Sequence, residues 1–220
     1  MDTDFLLENL VTLLFAGYDT TSITLSYLMY CMAQHPEVEE RALAEINTTV
    51  LPGEQPTYDQ LTKELVYCTA VVEEVLRLYP PAPLTVRHLE KDLTLRRTTE
   101  KTWGHPDKEP VTLPAGTAVY LPIWWIQRSE LNFNDPLKFN PERFMPENKK
   151  YVKRGASVAF GSGSRDCVGR RFAMVELLSL FVNVFRKVKF SCVENYILEP
   201  HKVGVVQKPK GGLPLVVSMR

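Results

Sequence analysis

The run Phe160-Gly161-Ser162-Gly163-Ser164-Arg165-Asp166-Cys167-Val168-Gly169 constrains this chain more than any other stretch. It holds one cysteine in a glycine-bounded loop, an arginine two residues before it, and an apolar helical run, Phe172 to Leu178, directly after it. A thiolate at a helix N-terminus is favoured by the helix dipole and by the loop N–H groups. Glycines let backbone amides approach the sulfur and let a flat ligand lie against the loop. Arg165 offers a planar fork suited to a carboxylate. Sulfur to iron and arginine to a propionate would describe the proximal side of a haem-thiolate pocket. The plain alternative is a turn before a helix with a buried structural cysteine.

The pattern Phe-x-x-Gly-x-Arg-x-Cys-x-Gly, with Ala four residues on, resembles the haem-binding signature of the cytochrome P450 family. Phe160, Gly163, Arg165, Cys167, Gly169 and Ala173 fill its positions. The resemblance implies a mainly α fold with small β-sheets, a partial cytochrome P450 fold. It implies haem b (heme b, iron protoporphyrin IX) as cofactor, with Cys167 as metal ligand and Phe160, Gly163, Arg165 and Gly169 around the ring.

Two more segments carry the resemblance. Ala16-Gly17-Tyr18-Asp19-Thr20-Thr21 is similar to the oxygen-activation motif of P450 monooxygenases. Gly17 removes a side chain where a helix must pass close to bound dioxygen. Thr20 would hydrogen-bond oxygen or an ordered water, and Asp19 would relay protons from solvent. The alternative is a Ser/Thr-rich helix whose hydroxyls bond to preceding carbonyls. Glu74-Val75-Leu76-Arg77 sets a carboxylate and a guanidinium one helical turn apart. Pro141-Glu142-Arg143-Phe144 supplies a second arginine. The resemblance implies that Glu74, Arg77 and Arg143 lock together as a structural triad behind the haem loop, with Glu73 a solvated neighbour. It also places Arg87 at a propionate. Leu13, Tyr18, Leu84, Thr85, Val86, Val205 and Val206 would face the substrate pocket. Gln127-Arg128 stands where family members often show His-Arg, a position expected to be tolerant.

Composition excludes other classes. The 220 residues carry zero formal net charge, so bulk electrostatics do not point to nucleic acid. Cys31, Cys68, Cys167 and Cys192 are far apart, unlike a zinc site, a redox pair or a small disulfide scaffold; a reducing compartment is expected. His35, His88, His105 and His201 share no ligand spacing. Gly161-Ser162-Gly163 lacks the Gly-Lys-Ser/Thr of a phosphate loop, so no flavin or nicotinamide domain is expected. Residues 1–8 carry three acids and no base, the wrong flank for a signal peptide. Residues 9–34 are long enough to span a bilayer. Asp19 near their middle would cost roughly 2.5–3.5 kcal/mol there, and six hydroxyl side chains add polarity, so a helix buried in protein is the better reading.

Periodicity and punctuation predict a long buried helix over 4–34, with an amphipathic helix over 36–49 carrying Val38, Leu43 and Ile46. Thr57 to Gln60 has capping-box spacing before a short helix. A further helix is predicted over 64–79, stopped by Pro80-Pro81. Strands are predicted at 93–95, 111–113 and 118–121 within a β region, 84–123, with a turn at 114–116 and a charged excursion over 97–110. An irregular meander, 132–159, leads to the cysteine loop, 160–169, and a helix over 168–187. A C-terminal hairpin over 195–219 is expected about Lys208-Pro209-Lys210-Gly211-Gly212.

These segments correspond to the C-terminal part of the family, so 1–220 is read as one haem-thiolate portion. The expected origin is a truncated product, a partial gene model or one exon group. The implied reaction is monooxygenation: one oxygen atom from O2 enters a small apolar substrate. Electrons come from a separate NADPH-P450 reductase type of redox partner, so NADPH acts only indirectly. No nucleic acid partner and no membrane anchor are expected in this chain. A full-length eukaryotic relative would sit on the endoplasmic reticulum membrane. Rival readings are a catalytically inactive fragment, a non-oxygenating haem-thiolate isomerase or dehydratase, and a membrane-spanning interaction protein resting on residues 9–34 alone.

Overall fold

The computed structural model describes residues 3–95 and 110–220. Among the described residues, six α-helices and four two-stranded antiparallel sheets are arranged about a main apolar core, with a smaller cluster of Ala70, Phe133, Phe144 and Ala156 besides. Most of the charged excursion expected over 97–110 lies outside the described residues.

Helix α1 (Thr3–Gln34) divides into two halves. Its C-terminal half buries Ile23, Tyr27, Leu28, Cys31 and Met32 in the core. Its N-terminal half exposes Phe5, Leu7, Leu10, Val11, Leu14 and Phe15. The sequence read the whole helix as buried; no described element covers its first four turns. Thr12, Thr20, Ser22, Thr24 and Ser26 each donate to a carbonyl three or four residues back. This satisfies their hydroxyls without tertiary partners. No described helix is long and apolar enough to cross a membrane.

Pro36 opens α2 (Pro36–Thr49) at its first turn, where the missing N–H costs nothing. Val38, Ala42 and Ile46 bury one face, and Leu43 packs at its edge. Thr57 and Gln60 form a reciprocal capping box, Thr57 N donating to Gln60 Oε1 and Gln60 N to Thr57 Oγ1. The turn that follows, Gln60–Glu64, is wound as a π-helix. Helix α3 (Val66–Leu78) has no local cap. Glu45 of α2 supplies one instead, its two carboxylate oxygens accepting from Tyr67 N and Cys68 N at 2.7 and 2.8 Å.

Strand β1 (Thr85–His88) pairs with β4 (Ala118–Leu121), and β2 (Leu93–Leu95) with β3 (Val111–Leu113). The turn over 114–116 therefore joins two sheets. The tail differs from the expected hairpin. β6 (Pro200–Val203) and β7 (Val206–Pro209) form a hairpin about Gly204-Val205, with Gly204 at φ +61°. β8 (Leu215–Met219) pairs instead with β5 (Val188–Cys192). The Lys208-to-Gly212 segment is thus a link between sheets. Glycine at positive φ is needed at both places, so the glycine pair alone did not identify the reversing turn.

Two one-turn helices, α4 (Ile123–Ile126) and α5 (Pro146–Lys149), lie before and within the meander. Helix α6 (Arg170–Phe185) leaves the cysteine loop and buries Leu177, Leu178, Phe181, Val182 and Phe185. Helix α6 packs against α1 and α3, which ties the segment after the cysteine loop to the core.

Candidate functional site

A cavity of about 620 Å³ opens between α1, β1 and the cysteine loop. Leu13, Ala16, Gly17, Thr20, Thr21 and Thr24 line it from α1. Their spacing is one helical face. Thr85 and Arg87 line it from β1, and Phe160, Gly161, Arg165, Cys167, Gly169 and Phe172 from the loop and α6. Arg87 and Arg165 are the only charged side chains among the lining residues.

The loop is shaped by its own backbone. Gly161 and Gly163 sit at φ +76° and +82°, where L side chains are strained. Cys167 N donates to Phe160 O at 2.8 Å and closes the loop, while Gly161 N donates to Val158 O. Arg170 N donates to Cys167 O, which starts α6. A Cβ added at Gly169 would lie 3.9 Å from Cys167 Sγ, so the sulfur has glycine rather than a side chain beside it. Cys167 is exposed within the cavity and unpaired.

Arg87 Nη1 donates to Thr85 Oγ1 and Val86 O, and Arg87 Nη2 approaches Arg165 O at 3.4 Å. The two arginines therefore share one side of the cavity. Thr20 lines it, yet its hydroxyl donates to Ala16 O at 2.7 Å. Its oxygen lone pairs remain available to accept. The helix is thus both the back-bonded Ser/Thr helix and the cavity wall.

Other expected residues stand elsewhere. Asp19 and Tyr18 fall off the cavity face of α1, and Tyr18 is 78% exposed. Leu84 and Val86 alternate with Thr85 and Arg87 along the strand, which turns them from the cavity. Val205 is exposed at the hairpin tip, and Val206 is buried in the core. Gly163 shapes the loop without lining the cavity.

Glu74 and Arg77 are fully buried and paired, Arg77 Nε to Glu74 Oε2 at 2.6 Å and Arg77 Nη2 to Glu74 Oε1 at 2.8 Å. Arg77 also donates to the carbonyls of Gln127, Pro136 and Lys138. Asn140 N donates to Glu74 Oε1. Arg143 Nε lies 3.5 Å from the same oxygen. The three residues meet, with the meander strung across them. Glu73 is not solvated as expected: its side chain is 17% exposed, and Lys149 Nζ reaches both its oxygens at 2.8 Å.

Sequence reasoning missed Gln127. It is fully buried and uses its whole amide. Nε2 donates to Leu76 O and Arg77 O, and Oε1 accepts from Val158 N at 2.7 Å. A position expected to tolerate change is instead saturated with hydrogen bonds. The residue pair 127–128, singled out for its departure from His-Arg, was the available signal.

Thiol chemistry should separate the cysteines. Burial pushes the Cys31 and Cys68 thiols up, with Glu74 adding to the rise at Cys31 and Glu45 at Cys68. Both stay neutral at working pH and are shielded. Iodoacetamide is expected to alkylate Cys167 in the folded protein and Cys31 and Cys68 only on unfolding, read by peptide mass spectrometry. Labelling of Cys31 as fast as Cys167 would contradict the packing.

Comparison with known proteins identifies the family. The family described as cytochrome P450 matches residues 1–216. Cytochrome P450 3A6 of Oryctolagus cuniculus is 35% identical over 210 residues, covering 94% of this chain and 39% of the relative. Cytochrome P450 3A12 of Canis lupus familiaris is 34% identical over 227 residues, covering 100% and 42%. Cytochrome P450 4X1 of Mus musculus is 39% identical over 166 residues, covering 76% and 30%. The chain spans about two fifths of the length of the first two of these relatives.

Proposed function

Because the chain belongs to the cytochrome P450 family, we propose that it forms the haem-binding portion of a haem-thiolate monooxygenase acting on a small apolar substrate. One observation carries this: an unpaired, accessible Cys167 in an apolar cavity whose charged lining residues, among those described, are two arginines. The donor set fits haem b. A thiolate suits iron, apolar walls suit a porphyrin, and two guanidinium groups suit its two carboxylates. Bound there, the haem would supply the dioxygen chemistry that inserts one oxygen atom into the substrate.

The chain's own residues do the rest. Cys167, just ahead of α6, would hold the iron through its sulfur. Arg87 and Arg165 would hold the two propionates. Leu13, Ile123 and Phe172 give the cavity apolar walls against which an apolar substrate can pack. Gly17 leaves room along α1; a Cβ there would meet nothing within 4 Å. Thr20 accepts a hydrogen bond from water in the cavity. Asp19, next in the chain but facing outward, carries protons between solvent and that water. Electrons come from a separate NADPH-dependent reductase. A full-length relative of this kind would work at the endoplasmic reticulum membrane.

The exposed apolar half of α1 favours one second reading, an inactive partial chain. Leu13 lines the cavity yet is 59% exposed, so one wall is open and oxidation would be poorly coupled to substrate. The test has two stages. Haem-loaded, dithionite-reduced protein is given carbon monoxide; the red-shifted Soret band of thiolate ligation is expected, and a band of the nitrogen- or water-ligated kind would sink the ligand assignment. Reductase and NADPH are then added with an apolar substrate. Product formation supports the monooxygenase, and a thiolate band without product supports the inactive chain.

A further inference from the structure

We propose that Gln127 is a positioning residue that registers the cysteine loop against α3, and so sets where the Cys167 sulfur stands in the cavity. This deepens the haem-thiolate reading and rests on it for the role of Cys167.

The C-terminus of a helix leaves its last four carbonyls without partners in the helix. In α3 they are all accounted for. Val75 O accepts from Tyr79 N. Leu76 O and Arg77 O accept from Gln127 Nε2 at 3.1 and 3.0 Å. Leu78 O accepts from Arg128 Nε and Nη2 at 3.0 and 2.7 Å. Two consecutive side chains thus cap the helix that carries Glu74 and Arg77.

The other end of the same amide faces the loop. Val158 N donates to Gln127 Oε1 at 2.7 Å. Val158 O then accepts from Gly161 N, and Phe160 O from Cys167 N, both at 2.8 Å. A short path of backbone bonds therefore runs from Gln127 to the cysteine. Only one amide orientation works, since a flip would oppose NH2 to Val158 N–H and oxygen to two carbonyls. A primary amide has two N–H donors and an acceptor, and all are spent here. An apolar side chain could fill the volume but could not join helix to loop.

A neutral imidazole offers one donor and one acceptor, and a protonated one has no acceptor. Gln127→His should therefore hold Val158 when neutral and release it when charged. The charged groups around it are Arg77, whose Nη1 donates to Gln127 O, its partner Glu74, and Arg128. Residues 157–159, which end the meander just before the loop, add no titratable group.

The test compares wild type, Gln127→Met and Gln127→His. Two readouts are used: hydrogen exchange of the Val158 amide in the haem-free protein, and the ferrous carbon monoxide spectrum of the haem-loaded protein. Gln127→Met should still melt cooperatively, exchange Val158 about tenfold faster or more, and lose part of its thiolate band to the non-thiolate form. Gln127→His should restore both at about pH 8 and lose both near pH 5.5, while wild type stays flat between them. A cooperative Gln127→Met with wild-type Val158 protection and an unchanged band would overturn the proposal. If Gln127→Met does not fold, a pH-independent Gln127→His would overturn it equally. A wild type without the thiolate band would overturn the ligand reading instead, and the exchange rates would still decide whether Gln127 anchors the loop.

Discussion

Arg77→Ala is expected to leave the protein unfolded or nearly so. The substitution strips Glu74 of both bonds to Arg77 at a site with no exposure to water, leaving Arg143 Nε at 3.5 Å as its remaining cationic partner among the described residues. It also frees the carbonyls of Gln127, Pro136 and Lys138. Removing one partner of a buried ion pair typically costs about 3–5 kcal/mol, because the other charge stays behind. Small proteins have about 5–15 kcal/mol in total. Arg77→Lys should do little better, since one ammonium cannot reproduce a fork that binds two carboxylate oxygens and three carbonyls. The contrast is Glu73→Ala on the same helix. Its partner Lys149 is half-exposed, so the loss should stay near 1 kcal/mol. Chemical denaturation followed by circular dichroism measures both. An Arg77→Ala protein within 1 kcal/mol of wild type would contradict the buried pair, as would a larger loss at Glu73.

Much of the fold and site could be read from local chemistry, and the reason is visible residue by residue. Pro36, the Thr57–Gln60 box and Pro80-Pro81 are short-range signals, and the observed helix boundaries lie at or beside them. The cysteine loop is equally local: two glycines at positive φ and an N-terminus of α6 follow within ten residues. Contacts made at long range were not legible. Glu45 capping α3 spans more than twenty residues, and nothing in a Glu on an amphipathic helix announces it. Gln127 spans fifty residues to α3 and thirty-one to Val158; a glutamine between Ile and Arg reads as surface.

The cavity divides the expected residues in a regular way. On α1 and β1, segments were identified but faces were not. Leu13, Gly17 and Thr20 lie on one helical stripe, and Tyr18 and Asp19 do not. Thr85 and Arg87 face the cavity, while Val86 faces away. Periodicity gives the relation between neighbours. It does not give the phase, which here was set by what packs behind each element. The tail shows the same limit. Val205 and Val206 are adjacent apolar residues, yet one is at a hairpin tip and the other in the core, because Gly204 places the reversal just before them.

Cys167→Ser should abolish the thiolate band while leaving the fold intact. The thiol is exposed, makes no hydrogen bond through its sulfur among the described residues, and has Gly169 beside it. Its loss removes no packing, so stability should change by no more than about 0.5 kcal/mol. Serine keeps nearly the same shape but titrates far above working pH and so offers iron a neutral hydroxyl. The helix dipole that favours a thiolate cannot make up that difference, since it is worth about 0.3–1 kcal/mol at an exposed position. Retention of haem is a separate matter. Arg87, Arg165 and the apolar walls remain, so the serine variant should still take up haem, though less tightly, and show the band of a non-thiolate ligand. Cys192→Ser is the control: Cys192 lies on β5 against Gln34, away from the cavity, and its substitution should leave the band in place. A Cys167→Ser protein with an undiminished thiolate band would mean that another cysteine reaches the iron. Cys31 and Cys68 are buried in the core with raised thiol pKa values, so only a refolded chain could present them. Melting the variant beside the wild type distinguishes that refolding from a wrong assignment of the ligand.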